Sequence, residues 1–240
     1  MDECPVAVVI CAAGASSRMG GIKKEYQKLE GADESLTVLG SAVRAFASVP
    51  SVETIVIAVR EDDMDSARGA VPPECLSAEK PKILFVHGGK TRRASVFNAL
   101  LFLVPYNPSY VLIHDGARPW IGLPLIKSII EGVKKHGAVI PLIPNTDTPK
   151  ECDAPFETDA DGAENAVFIK SHLKRANTGV AQTPQAFKFP EILHAHEKAA
   201  CVEDEEFTDD AEVWGRFCGQ VAVIPGSQGN KKITFPEDNC

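Results

Sequence analysis

The chain's 240 residues fit one large domain, and 44% hydrophobic against 24% charged residues excludes disorder and collagen-like structure. A net charge of −8 argues against a broad nucleic-acid surface, and no apolar run approaches the roughly 18 residues of a membrane span. The start, MDECPVAVVICAAG, lacks the basic opening and small-residue cleavage site of a signal peptide, so a cytoplasmic address is expected.

The first element, Val6–Ala12, is a short Val- and Ile-rich run that reads as a strand buried on both faces. It empties into Ala12-Ala13-Gly14-Ala15-Ser16-Ser17-Arg18-Met19-Gly20, where small residues let backbone N–H groups approach a phosphate and Arg18 adds a planar cation. Neither G-x-x-x-x-G-K-[ST] nor G-x-G-x-x-G is present, and a plain strand-to-helix turn stands as the alternative. Lys23 and Lys24 follow closely. Residues 37–48 predict a helix with Leu36, Leu39, Val43 and Phe46 on one face. A second strand is expected at Thr54–Val59 and a third at Ile83–Val86.

The third strand runs into His87-Gly88-Gly89-Lys90-Thr91, a glycine turn with a hydroxyl N-cap ahead of a helix over 91–104. A fourth strand, Tyr110–His114, ends at Asp115-Gly116-Ala117-Arg118-Pro119. A carboxylate there can hold Mg²⁺, which prefers one or two carboxylates plus substrate phosphates. Asp115 in a structural salt bridge with Arg118, and His114 as a satisfied core histidine, are the plainer readings. A helix over 124–136 and a strand at Ala138–Ile143 come next. Residues 144–174 are polar and turn-rich, an excursion from the core, before a last strand at Val221–Ile224. Such alternation predicts an α/β domain with a mainly parallel sheet, whose ligands sit beyond the strands' carboxyl ends.

Charge is unevenly placed. Residues 203–212 carry seven acids and no Lys or Arg, which leaves the rest of the chain at −1. The spacing favours a solvated helix start there over a functional wall. Basic clusters at Arg18, Lys23, Lys24 and Lys28, at Lys90, Arg92 and Arg93, and at Lys231 and Lys232 suit a small anionic ligand. The seven scattered cysteines form no C-x-x-C pair and read as free thiols.

Seven segments, in order, resemble the 2-C-methyl-D-erythritol 4-phosphate cytidylyltransferase family. They are Ala12-Ala13-Gly14 with Arg18-Met19, Lys24-x-Tyr26, Gly88-Gly89-x-x-Arg92-x-x-Ser95-Val96, His114-Asp115-x-Ala117-Arg118-Pro119, Asp147-Thr148-x-Lys150, Thr183-Pro184-Gln185 and Lys232-Ile233-Thr234-x-Pro236-Glu237-Asp238. The resemblance implies one Rossmann-like nucleotidyltransferase domain over 1–240, with about 144–178 as a protruding dimerisation arm. It implies that Ala12, Ala13 and Gly14 wrap CTP, with Arg18, Lys24 and Lys232 as the catalytic cations on its phosphates. Gly89 and Ser95 would contact cytosine and ribose. Asp115, Gly116 and Ala117 would lie beside ribose and the metal, Asp115 being the ligand of Mg²⁺ or another divalent cation. Thr148, Arg175 and Thr183 would handle the methylerythritol phosphate, Thr148 and Arg175 reaching the site of the other subunit in a homodimer.

Three positions depart from the family's pattern. Ser16 stands in place of a usual second Gly, Lys23 in place of Pro, and Gly116 in place of Ala, the last a mild change. Family members usually continue past Asp238 into a further helix. The implied reaction joins CTP and 2-C-methyl-D-erythritol 4-phosphate with loss of pyrophosphate. A related enzyme acting on ribitol 5-phosphate, and a nucleotide-binding sensor without catalysis, are the competing readings.

Overall fold

The structure, a computed structural model, describes residues 4–14, 23–30, 36–154, 166–202 and 207–239. In chain order its strands and helices are β1 (Val6–Cys11), α1 (Val38–Ala47), β2 (Val52–Val59), α2 (Met64–Ala70), α3 (Pro73–Ser77), β3 (Lys82–His87), α4 (Arg92–Leu103), β4 (Tyr110–Asp115), α5 (Leu123–His136), β5 (Ala138–Pro144), β6 (Lys150–Cys152), β7 (Ile169–His172), β8 (Gly179–Ala181), β9 (Gln185–Lys188), α6 (Phe189–Ala200), α7 (Asp210–Phe217) and β10 (Ala222–Pro225).

The main sheet runs β10-β5-β9-β4-β1-β2-β3, with β8 paired to β5. Pairs β1–β2, β1–β4, β2–β3 and β5–β10 are parallel. Strand β9 lies antiparallel between β4 and β5. It was not anticipated from the sequence: four residues carry little pattern, and its place depends on the chain returning from the excursion after β5.

Alternate residues of β1 serve two cores. Val6, Val8 and Ile10 pack with Leu39, Val43 and Phe46 of α1 and Ile126 and Ile129 of α5 on one face. Ala7 and Val9 pack with Leu100 and Leu103 of α4, Ile192 of α6 and Trp214 of α7 on the other. A strand buried on both faces has no solvent side to mark with polar residues, which is why these runs are continuously apolar. The three long helices read from the sequence all form, and local chemistry sets their ends. Thr37 caps α1 by accepting from Gly40 N at 2.9 Å. Pro124 sits in the first turn of α5, and Gly137, at φ +80°, closes it in the left-handed conformation glycine tolerates.

The excursion holds an antiparallel ribbon of β6 and β7, in register Lys150 to His172 and Glu151 to Ser171. On it Phe168, Ile169 and Leu173 are exposed. The acidic run departs from its solvated reading. Residues 203–206 lie outside the described set and Asp209 caps α7, but Asp210 turns inward and is buried. Spacing could not separate these neighbours, because a helix start points consecutive side chains in different directions.

Candidate active site

The loops after β1, β3 and β4 end side by side, since β1 pairs directly with β4 and β2, and β2 with β3. They enclose an open cavity of about 800 Å³ at the carboxyl ends of these strands. Ala13, Gly14, Lys24, Gly89, Ser95, Asp115, Ala117 and Lys232 all line it.

The turn after β3 is built from the inside. Gly88 N donates to Val59 O at 2.7 Å. Thr91 caps α4 by accepting from Ala94 N at 3.1 Å, as the sequence predicts. Ser95 Oγ accepts from Gly89 N at 3.0 Å and donates to Thr91 O at 2.9 Å, so this hydroxyl shapes the turn. A Cβ on Gly88 would sit 2.5 Å from Ala13 Cβ, so only glycine lets the two loops touch. Gly116 is equally constrained: its Cβ would lie 2.9 Å from Cys11 O, so Gly in place of Ala is not the mild change the sequence suggests.

Asp115 is the charge centre of the cavity floor. Lys232 Nζ lies 3.0 Å from its Oδ2, Arg118 Nε 3.4 Å from the same oxygen, and Arg92 Nε 3.4 Å from Oδ1. Burial alone would raise its pKa, but Lys232, Arg92 and Arg118 outweigh burial and hold the carboxyl well below the usual range. Arg118 also donates to Asn230 O at 2.9 Å, so the salt bridge expected from the sequence is real and coexists with the cavity position of Asp115. Beneath, Thr183 Oγ1 accepts from Asp115 N at 3.0 Å and lies 3.1 Å from His114 Nδ1, while His114 Nε2 lies 3.1 Å from Arg118 O. Burial lowers the His114 pKa to about 4. A neutral ring fits both contacts, with Thr183 donating to Nδ1 and Nε2 donating to the carbonyl. His114 is thus the satisfied core histidine. Thr183 is buried under the site, its hydroxyl engaged by Asp115 and His114.

Several expected residues stand elsewhere. Arg18 and Ser16 lie outside the described residues. Ala12 is buried behind the loop, its N–H donating to Ala58 O at 2.8 Å. Lys23, the departure from Pro, donates to Gly14 O at 3.0 Å and lies 3.1 Å from Asp63 Oδ2, tying the loop after β1 to the start of α2. Thr148 is exposed, and Arg175, exposed too, donates to Thr146 O at 2.9 Å. Arg175 lines a second cavity of about 470 Å³ with Leu142, Asn145 and Val223, and neither Thr148 nor Arg175 lines the main one.

The site also holds residues given no site role from the sequence, Cys11, Glu25, Arg60, Glu61, Asp62, Thr91 and Thr234, together with Lys90 and Arg92, whose basic cluster reads as suited to an anionic ligand but carried no assigned contact. A second signal was legible for Arg92. Arg92 begins α4, where a cation opposes the helix dipole, so something other than helix preference must hold it. Burial pushes the Cys11 thiol up to about 12, which makes it no nucleophile at neutral pH. Among the described residues no group of three or more His, Cys, Asp or Glu gathers to hold a metal. A divalent ion would depend on Asp115 and on substrate phosphates, and a single hard, ionised carboxylate fits that demand. No helix among the described residues is long and apolar enough to cross a membrane.

Comparison with known proteins agrees with this geometry. The family model described as 2-C-methyl-D-erythritol 4-phosphate cytidylyltransferase matches residues 6–240. The bifunctional enzyme IspD/IspF of Bradyrhizobium (strain BTAi1) is 40% identical over 235 residues, covering 97% of this chain and 54% of that protein. The chain therefore spans about half the length of the curated relatives it matches. The crystal structure of 4-diphosphocytidyl-2C-methyl-D-erythritol synthase from Anaerococcus prevotii is 28% identical with a TM-score of 0.79, covering 99% of this chain and 94% of that one. The 2-C-methyl-D-erythritol 4-phosphate cytidylyltransferase of Francisella tularensis is 27% identical with a TM-score of 0.71, covering 98% and 96%.

Proposed function

The chain belongs to the 2-C-methyl-D-erythritol 4-phosphate cytidylyltransferase family, and we propose that it transfers CMP from CTP to 2-C-methyl-D-erythritol 4-phosphate in isoprenoid precursor synthesis. The observation that carries this reading is the convergence of Lys24, Lys90, Arg92 and Lys232 with the Gly88–Gly89 turn on one strand-end cavity. That is a receptor for a compact polyanion with a polar base.

A phosphate monoester, with a second pKa of about 6, is already largely a dianion at neutral pH. One of its oxygens attacks the α-phosphorus of CTP, the bond from that phosphorus to the bridging oxygen breaks, and pyrophosphate leaves with the electron pair. No general base is needed, in keeping with a neutral His114 and an un-ionised Cys11. The barrier is mutual repulsion of anions, which Lys24, Arg92 and Lys232, with Arg18 by family resemblance, offset while holding the groups in line. Mg²⁺ or another divalent cation on Asp115 and the phosphates would neutralise further charge.

The polyol phosphate side is assigned to a homodimer, in which Thr148 and Arg175 of one copy reach the cavity of the other. Its support is that both lie outside their own chain's main cavity, on an arm with exposed Phe168, Ile169 and Leu173. An arm of this length with exposed apolar residues calls for a surface to pack on, and a two-fold partner is the commonest solution. CTP and phosphorylated polyols being cytoplasmic metabolites, the same reading places the enzyme in the cytoplasm.

The test is a pyrophosphate-release assay crossing CTP, UTP, ATP and GTP with 2-C-methyl-D-erythritol 4-phosphate and ribitol 5-phosphate. CTP with the methylerythritol phosphate is expected to dominate, because a site built on hydrogen bonds rejects analogues that lack them. Equal turnover of UTP, or preference for ribitol 5-phosphate, overturns the assignment.

A further inference from the structure

Asp210 opens α7 within the acidic run, yet it is 1% exposed. Its Oδ2 accepts from Arg92 Nη1 at 2.8 Å. Its Oδ1 lies 3.3 Å from Nε2 of His196, a ring with 0% exposure. Burial would raise the Asp210 pKa, but Arg92 and His196 outweigh it, so the group stays an anion. The start of α7 is anchored as well. Gln185 of β9 donates to Asp209 at 2.7 Å and accepts from Ala211 N at 3.0 Å.

The Arg92 guanidinium therefore spans two buried carboxylates. Nη1 is on Asp210 and Nε is 3.4 Å from Asp115, while the side chain still lines the cavity. Of five donors on a rigid fork, these contacts leave others for a ligand. Without Asp210 the fork would close on Asp115 as a two-pronged pair, and its donors would be spent on the carboxylate of the cavity floor instead of on a ligand.

We propose that Asp210, backed by His196, is a positioning residue for nucleotide binding: it keeps Arg92 from closing as a two-pronged pair on Asp115 and so leaves donors of the fork for the triphosphate. The inference rests on the cytidylyltransferase reading in taking CTP as the ligand. It predicts a sign opposite to plain electrostatics. Removing a negative charge near a polyanion site would tighten binding of the anion, whereas losing the hold on Arg92 weakens it.

The experiment is a calorimetric titration of CTP in EDTA against wild type, Asp210→Asn, Arg92→Met and the double variant. Each is first checked for its fold by far-UV circular dichroism. Asp210→Asn is expected to weaken CTP about tenfold, and to add nothing in the Arg92→Met background, since its effect passes through Arg92. KM for the polyol phosphate is expected to stay unchanged, a split that general damage to the fold would not produce. Asp210→Asn leaves a buried guanidinium without its partner, so Asp210→Glu, which moves the charge by one methylene, is carried through the same cycle. It is expected to weaken CTP at least threefold, again only when Arg92 is present. Unchanged or tighter CTP binding, or effects that add to those of Arg92→Met, overturns the proposal. Wild type that binds no CTP, either in EDTA or with Mg²⁺ restored, overturns the cytidylyltransferase reading, and this inference with it.

Discussion

Replacing Lys232 with Met should separate catalysis from stability. The ammonium lies 3.0 Å from Asp115, but its side chain is 39% exposed. Two unit charges about 4 Å apart interact by roughly 4 kcal/mol at an effective dielectric near 20. Solvent screening at this exposure reduces the net contribution to stability to about 1 kcal/mol or less. Arg92 and Arg118 remain on Asp115 and keep it paired. Melting should then fall by no more than about 4 °C for a domain of this size. On the proposed reaction, the same cation would face charge that builds on the departing pyrophosphate, where a preorganised contact is worth on the order of 3 kcal/mol. Pyrophosphate release at saturating polyol phosphate should therefore show kcat/KM for CTP reduced about a hundredfold. A rate loss under about threefold removes Lys232 from the phosphate contacts. A melting point lower by more than about 10 °C returns it to a structural role.

Gly88→Ala should cost at least tenfold in CTP affinity by calorimetry, because the new Cβ would lie 2.5 Å from Ala13 Cβ and 2.9 Å from Ser95 Oγ and push the two loops apart. Undiminished affinity would show that the loops do not need this close approach. For the proposed shared site, Lys24→Ala and Arg175→Ala proteins, each expected to be inactive alone, are mixed under conditions where labelled subunits exchange. A mixed dimer carries one site with both lesions and one with neither, so part of the activity should return; exchange without recovery refutes the borrowed arm.

Much of this protein was legible in its sequence because the relevant forces are local. The runs Val6–Cys11 and Tyr110–Ile113 are apolar throughout since both faces are covered, and Thr37 and Thr91 announce the helices they cap. The three loops that enclose the cavity follow such strands directly, so their positions could be read once the strands were found. What the tertiary structure decided depends on which distant segments the sheet order brings together. β9 takes its antiparallel place between β4 and β5 because the chain returns there from the excursion after β5. Thr183 comes to rest beneath Asp115, 68 residues away in the chain, and Asp210 meets Arg92 across 118. Periodicity reports the faces an element shows to water or to a core. The partner of a buried charge is set by topology, and so an acidic run that reads as solvated holds the carboxylate that grips Arg92.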